Sequence, residues 1–289
     1  MDKDWWDYRP VFSTTDKGSR ITGLAPGEPV GRITTRLVVT TALCFAAWGA
    51  ASLLGTSLLC QATSAPESTC VVNVPLDVPV VWRVLAAIVV VYLLLLVTVD
   101  LGEHARQRLG QRRVAVLLWS APTLAGIAVG AGISTGTAFA PDPSGTLRRT
   151  LDGLIGTEAI ALSAVLTVLA GFWWITVVAR VPSALRHARR RQETIERVRR
   201  DGRRFTGSVR LGDVRFWLGR NPELDVAIVY HSPSGSHVLP GRMRTSPDRV
   251  PADGSPVVIF DDLRGVVHVE LDVDAEFAFE PEQRYTAAE

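Results

Sequence analysis

Four long apolar blocks constrain the fold of this chain more than any other feature of its sequence. The blocks cover residues 37–59, 79–99, 114–133 and 156–179. Each is as long as the roughly 20 residues that a helix needs to cross the hydrocarbon core of a bilayer. Because an isolated span must satisfy its own backbone polar groups, the blocks are predicted to be transmembrane helices. The alternative is a buried helical hairpin in a soluble core, but four such blocks exceed what a domain of this size could cover.

The basic residues of the connectors predict the orientation of these helices. Arginine is abundant in the N-terminal tail, in the second connector and after the fourth block, whereas residues 60–78 contain no lysine or arginine. The third connector contains only Arg148 and Arg149. By the positive-inside rule, both termini are predicted to lie in the cytoplasm. Lysine occurs only as Lys3 and Lys17, a bias typical of a GC-rich bacterial genome, so the predicted location is the bacterial plasma membrane.

The N-terminal tail is predicted to be retained in the protein. The first 33 residues are polar and lack the apolar core and cleavage site of a secretory signal. The first apolar block is therefore expected to act as an uncleaved anchor.

Two of the three cysteines lie in the first outward connector. Cys60 and Cys70 would face an oxidising compartment, where two thiols can close a disulfide and fix the loop. The pair is a candidate disulfide, and the alternative is two free thiols.

Ionisable residues are absent from the centres of the four blocks. Arg83 and Glu158 both lie near the predicted outer ends of their helices. Each side chain could reach the interface by itself, or the two could form an intramembrane ion pair. Since charges at mid-membrane mark ion and proton paths, their absence weakens the case for a transporter coupled to protons or cations.

Small residues recur at four-residue spacing in two of the blocks. Ala47, Ala51 and Gly55 share one face of the first helix, and Gly126 and Gly130 share one face of the third. Such faces let helix backbones approach closely, so tight packing is predicted there, within the chain or between copies.

A strongly basic segment, residues 181–204, follows the fourth block and is predicted to form a cytoplasmic helix. Ten arginines lie between positions 180 and 204. A basic cluster directly inside a membrane attracts anionic lipid. Nucleic acid is a poorer partner, because the run lacks aromatic or base-reading residues, and none is predicted. The candidate lipid contacts are Arg186, Arg189, Arg190 and Arg191.

The pattern of apolar and polar residues changes at position 205, and residues 205–280 are predicted to form a small β domain. Apolar residues alternate with polar ones, and turn formers recur every eight to ten positions, which is typical of short antiparallel strands. The predicted strands are 205–211, 214–218, 224–231, 236–244, 256–260 and 265–272. Six short strands favour a small closed or partly open barrel.

The predicted fold class is an α+β membrane protein: four transmembrane α-helices, a basic cytoplasmic helix and a small antiparallel β-barrel-like domain. The predicted segments are a polar cytoplasmic tail (1–36), a four-helix transmembrane domain (37–180), the basic helix (181–204), the β domain (205–280) and a C-terminal tail (281–289).

A set of motif residues is spread through the predicted β domain. They are Thr206-Gly207-Ser208-Val209, Val229-Tyr230 with Pro233 and Gly235, Val250-Pro251-Ala252-Asp253-Gly254, Val257-Val258 and Asp261-Asp262. The pattern resembles a family of bacterial multi-pass membrane proteins of unknown function, in which a small β domain is attached to a few membrane helices. The resemblance covers about residues 205–262 and implies a fold but no activity. The chain departs from the family pattern in its four spans and in a strand after Asp262.

No catalytic, cofactor or metal motif is recognisable in the sequence. It contains no phosphate-binding G-x-x-x-x-G-K loop, no G-x-S-x-G elbow and no H-E-x-x-H helix. His231, His237 and His268 fall in predicted strands, where histidines are more often solvated or hydrogen-bonded than metal-bound. Asp261 and Asp262 are predicted to be turn residues.

The leading hypothesis is therefore a non-enzymatic scaffold or regulatory protein that presents its β domain to a partner. An exposed strand edge could bind that partner, which is either another protein or a second copy of the chain. The alternative is an oligomeric transporter or channel-like component for a neutral solute. A membrane enzyme with an unrecognised site is the third hypothesis.

Overall fold

The computed structural model of the protein describes most of the chain. The described residues are 10–16, 18–25, 27–31, 34–62, 80–140, 143–151, 158–215, 222–233, 235–272 and 274–285. They fall into two compact units. The barrel unit comprises Met1–Arg32, Arg106–Val114 and Ala184–Glu289, and the helical unit comprises Ile33–Ala105 and Ala115–Ser183.

Five α-helices form within the described residues. They are α1 (Thr35–Ala62), α2 (Val80–Leu109), α3 (Arg112–Phe139), α4 (Pro143–Leu151) and α5 (Glu158–Asp201). All but the short α4 are long and apolar enough to cross a membrane, which suggests a membrane location.

The basic segment is not a separate helix. Its residues 181–201 are the C-terminal part of α5, which runs for 44 residues and contains Pro182, and Arg203 and Arg204 lie at the start of the strand that follows. A proline in a helix removes one backbone hydrogen bond. Here the alanines, leucine and arginines that follow are strong helix formers, so the helix continues beyond it.

The helical unit leaves large apolar side chains exposed on its surface. Val99, Val168 and Ile175 are 66%, 69% and 62% exposed, and many others on α1, α2 and α5 resemble them. Apolar surface of this extent marks a site of contact with lipid or protein.

Helices α1 and α3 approach closely at two glycines. A Cβ added to Gly126 would lie 2.5 Å from the carbonyl oxygen of Phe45. A Cβ added to Gly130 would overlap the carbonyl oxygen of Gly49. The Gly126–Gly130 face of the third helix therefore packs as predicted. On α1 the contact face is different, because an added Cβ on Gly55 would meet nothing within 4 Å among the described residues.

The barrel unit contains a six-stranded antiparallel sheet that is nearly closed. Its strands are β1 (Val11–Ser13), β2 (Arg203–Arg215), β3 (Glu223–Ser232), β4 (Gly235–Arg244), β5 (Pro256–Asp261) and β6 (Val267–Leu271). Their order in the sheet is β1-β4-β3-β2-β5-β6. The Thr14 hydroxyl donates to the carbonyl oxygen of Val267 (3.3 Å), so the segment after β1 lies beside β6 at the seam.

Alternating apolar residues fill the barrel interior, as the sequence pattern predicts. Along β3, Leu224, Val226, Ile228 and Tyr230 are buried, and they join Met243 in one hydrophobic core. Such period-two burial fixes the strand register, because a slip by one residue would turn this set to the solvent.

Two strand predictions were wrong. The predicted strand 205–211 and the first two residues of the predicted strand 214–218 are one strand, β2, with an irregularity between Leu211 and Val214, and residues 216–218 lie outside the described residues. Gly212 and Asp213 therefore form a bulge, which bends a strand without ending it. The sheet also takes β1 from the segment that was predicted to be a tail.

Candidate functional site

Residues 10–31, here called the N-terminal strap, bind the barrel at its β4 edge. In β1, Phe12 pairs with Met243 and is only 3% exposed, so it belongs to the barrel core. The backbone N–H of Gly18 donates to the carboxylate of Glu223 (3.1 Å), which also binds Arg242 at 2.6 Å. The barrel is therefore completed by a segment that precedes all four apolar helices.

The strap also contacts the connector between α2 and α3. The backbone N–H of Gly23 donates to the carbonyl oxygen of Gly110 (2.7 Å), and Gln111 Nε2 donates to the Thr22 hydroxyl (3.1 Å). Gly110 has a φ of +69°, and an added Cβ there would overlap the side chain of Leu24. Only glycine fits this position without strain.

Helix α5 holds the strap by a largely buried ion pair. Arg191 Nε lies 3.1 Å from Asp16 Oδ2, and the two side chains are 11% and 10% exposed. His187 Nε2 lies 3.2 Å from the other carboxylate oxygen. Further along the helix, Gln192 Nε2 donates to the carbonyl oxygen of Ala25 (2.8 Å). Removing either charge of a buried pair leaves the other uncompensated, so this contact fixes the strap on the helix.

A small cleft lies at the barrel seam, between β1 and β6. Its volume is about 40 Å³, and Arg191, Ile195 and His268 are among its lining residues. His268 Nε2 lies 2.9 Å from Glu270 Oε1, which also binds Arg199 Nε at 3.1 Å. A cavity of this size holds a few water molecules and is far below the volume of an ordinary organic-ligand pocket.

The four predicted lipid-contact arginines divide into two groups. Arg186, Arg189 and Arg190 are exposed, whereas Arg191 faces Asp16. The apolar face of the same helix is buried within the barrel unit, with Ala188 at 0% and Val198 at 1% exposure. Helical periodicity thus places Arg191 at the edge of the packed face and the other three toward solvent.

Two other predicted sites lie outside the described residues and side chains. They are the Cys60–Cys70 disulfide and the Arg83–Glu158 ion pair. Both stay predictions.

The outer edge of β4 is only partly covered by strands in the described part of the chain. Strand β3 pairs with all of β4, but β1 pairs only with Arg242–Arg244. Residues 235–241 therefore present an open strand edge, on which Val238 is 63% exposed. Pro240 lacks an N–H group, a device that limits uncontrolled pairing at an edge.

The family-like motif residues serve the barrel itself. A Cβ on Gly207 would lie 2.5 Å from the carbonyl oxygen of Val229, so β2 and β3 meet too closely there for any other residue. Tyr230 packs in the core, and its hydroxyl donates to Asp261 (3.3 Å). Burial raises the pKa of the Tyr230 phenol, and the neighbouring Asp261 carboxylate raises it further.

Asp261 is the last residue of β5, so its prediction as a turn residue was wrong, whereas Asp262 begins the turn between β5 and β6 as predicted. Asp261 accepts a hydrogen bond from the N–H of Leu263, and Asp262 accepts from those of Arg264 and Val266. The Val266 hydrogen bond is the main cause of a lowered pKa of Asp262, followed by that from Arg264.

Two of the strand histidines, His237 and His268, have separate surroundings. His237 Nε2 lies 2.8 Å from the Ser232 hydroxyl and its ring stacks on Tyr230, whereas His268 stacks on Phe260. Within the described residues, no group of three or more His, Cys, Asp or Glu side chains is placed to hold a metal ion.

Sequence reasoning missed the residues that assemble the barrel unit. Asp16 and Gly110 lie in segments that were predicted to be a tail and a plain connector. The only local signals are Pro10 before a short V-F-S run and the glycine after Leu109, and neither indicates a distant partner.

Comparisons of the chain with protein-family models, with curated proteins and with solved structures find no match. The family resemblance of residues 205–262 therefore stays a prediction.

Proposed function

We propose that this chain is a non-enzymatic, multi-pass protein of the bacterial plasma membrane that presents its β barrel to a protein partner in the cytoplasm. It would act as a scaffold or a regulatory component of a larger membrane assembly. The proposal combines the four apolar helices with the open edge of the barrel.

The composition of the barrel unit supports the sidedness. Its three segments, Met1–Arg32, Arg106–Val114 and Ala184–Glu289, are those that the positive-inside rule assigns to the cytoplasm. Segments that pack together must lie on the same side of a membrane. Contacts such as Gln111 with Thr22 are thus independent support for a topology first inferred from arginine counts.

The open edge of β4 is the observation that carries the partner-binding role. The barrel interior is filled by side chains such as Ile228, Met243 and Ile259, all 0% exposed, so recognition falls to the outer surface. An exposed strand edge accepts an extended peptide by backbone hydrogen bonding, and neighbouring side chains give specificity. Val238 would provide an apolar contact at the centre of this edge.

Site-specific photocrosslinking in living cells tests the proposal. A photoreactive phenylalanine analogue replaces Val238 in the full-length protein, and the matched control replaces Leu263, which is 59% exposed in the β5–β6 turn. We expect a reproducible protein adduct from position 238 and none from position 263. The absence of an adduct at 238, or the same adducts at both positions, would contradict the proposal.

The transporter alternative is less well supported. Helices α1 and α3 are in direct backbone contact at Gly126 and Gly130, which favours a structural role for this closely packed helix pair. Flux of a small neutral solute into vesicles that contain only the purified protein would favour the transporter instead.

A further inference from the structure

We propose that Arg108 and Arg189 bind the phosphate of one anionic phospholipid headgroup. The inference rests on the proposed membrane function and names a lipid site on the barrel unit. It adds Arg108, which lies at the end of α2, and omits Arg191.

Gly31 brings the two arginines to one place. Its backbone N–H donates to the carbonyl oxygen of Arg108 (3.1 Å). On its other side, a Cβ at Gly31 would lie 3.4 Å from Arg189 Nη2 and 3.6 Å from Leu109 Cδ2. The φ of Gly31 is +87°, a conformation that glycine adopts most readily, so the strap passes closely between the end of α2 and helix α5.

Both side chains are exposed and available to a ligand. Within the described part of the chain, neither Arg108 nor Arg189 forms a salt bridge, whereas Arg191 is occupied by Asp16. The Arg108 backbone and the Arg189 guanidinium group meet at Gly31, so two exposed arginines without a carboxylate partner among the described residues lie side by side there. The natural complement of such a basic site is a phosphate, which arginine binds through paired hydrogen bonds.

The position of the arginines favours a lipid as the source of the phosphate. Arg108 is the last residue but one of an apolar helix that is long enough to cross a membrane, Ile88–Leu109. Arg189 lies on the same continuous helix as the fourth apolar block. Basic residues that directly follow a span attract anionic lipids of the cytoplasmic leaflet.

Lipid titration of the full-length protein in a neutral detergent tests the site. Phosphatidylglycerol and phosphatidylcholine are added separately, and bound lipid is counted by native mass spectrometry. We expect retention of phosphatidylglycerol only. Each of Arg108→Gln and Arg189→Gln should weaken binding about fivefold, and the double variant about 30-fold.

Arg190→Gln is the matched control, because Arg190 is also exposed and is adjacent to Arg189, but unlike Arg189 it has no atom among those nearest to an added Cβ at Gly31. It should leave binding within about twofold of the unchanged protein. An equal loss from Arg190→Gln and Arg189→Gln would indicate diffuse attraction and would overturn the site. Arg189→Lys keeps the charge but loses the paired hydrogen bonds, so it should fall between the unchanged protein and Arg189→Gln.

Two further outcomes separate the possible errors. Millimolar inorganic phosphate that displaces the lipid would identify a free-anion site and overturn the lipid assignment. A chain that dissolves without detergent would refute the membrane function itself, whereas a membrane-bound chain with no preference for phosphatidylglycerol would refute this inference alone.

Discussion

Asp16 lies 3.1 Å from Arg191, and this pair joins the start of the chain to the helix that leads into the barrel. The two side chains are about one-tenth exposed, so water screens their charges only weakly. The ion pair therefore holds the strap against α5.

The first prediction concerns this ion pair. Asp16→Ala leaves the Arg191 charge buried without its partner and should destabilise the barrel unit by about 3 kcal/mol. Replacing both residues, as Asp16→Ala with Arg191→Met, should recover much of the loss, because no buried charge is left. Hydrogen–deuterium exchange of the β4 amides measures the effect. The control, Asp201→Asn, removes an exposed ion pair with Arg200 and should not change the exchange rates measurably. Equal exchange in Asp16→Ala and in this control would show that the ion pair does not hold the strap on α5.

The second prediction concerns the glycine of the connector. Gly110→Ala must accept a positive φ and a collision with Leu24, so it should loosen the strap by about 2 kcal/mol or more. Gly27→Ala is the control, since Gly27 has a φ of +87° but no atom within 4 Å of its added Cβ. The rate of proteolysis of the strap in the folded protein measures how far each variant loosens it. Leu24→Ala combined with Gly110→Ala should relieve the collision, and a double variant as sensitive as Gly110→Ala would argue against this cause.

The third prediction concerns the close approach of α1 and α3. Gly130→Ala would push Cβ into the backbone of α1 at Gly49 and should destabilise the helical unit by about 1–3 kcal/mol. Gly55→Ala, on an open face, should be neutral or slightly stabilising. Thermal unfolding in detergent compares the two variants. Equal midpoints would contradict the packing of these helices.

The fourth prediction concerns pH. Backbone hydrogen bonds lower the pKa of Asp262 in the folded protein below its unfolded value, so the ionised carboxylate stabilises the fold. That stabilisation is complete above the unfolded pKa, about 3.9, and is lost as the pH falls through the folded pKa. Asp262→Asn should therefore be less stable than the unchanged protein at pH 7, and the difference should shrink below about pH 4.

Denaturant unfolding of the barrel unit at several pH values measures this difference. Asp213→Asn removes another exposed carboxylate, in the β2 bulge, and serves as the control. A constant difference between Asp262→Asn and the unchanged protein from pH 3 to pH 7 would show that the turn does not depend on the charge.

Local patterns predicted most of the elements but not their assembly. The four apolar helices are long apolar runs, and strands β3 to β6 lie where apolar residues recur between turn formers, so the sequence alone indicates them. Strand β1 has three residues, and its position depends on Met243, far away in the chain. A run that short has no period of its own, and only the pairing with β4 makes it a strand.

The sequence predicts that a basic site exists but not which residues form it. Arginine density indicates a basic surface, yet Arg189 and Arg191, two positions apart on one helix, have opposite surroundings. The difference comes from Asp16, whose place on α5 no local signal reveals. The backbone of Arg108 and the guanidinium group of Arg189 come together only because the strap contacts both at Gly31.

The chain order of the strap also sets a time course for synthesis. Gly18 leaves the ribosome 205 residues before its partner Glu223. At ordinary elongation rates, the synthesis of these residues takes about 10–40 s. The barrel can therefore close only when every apolar helix has already been made, and Phe12 must stay unpaired, and open to chaperones or proteases, until then.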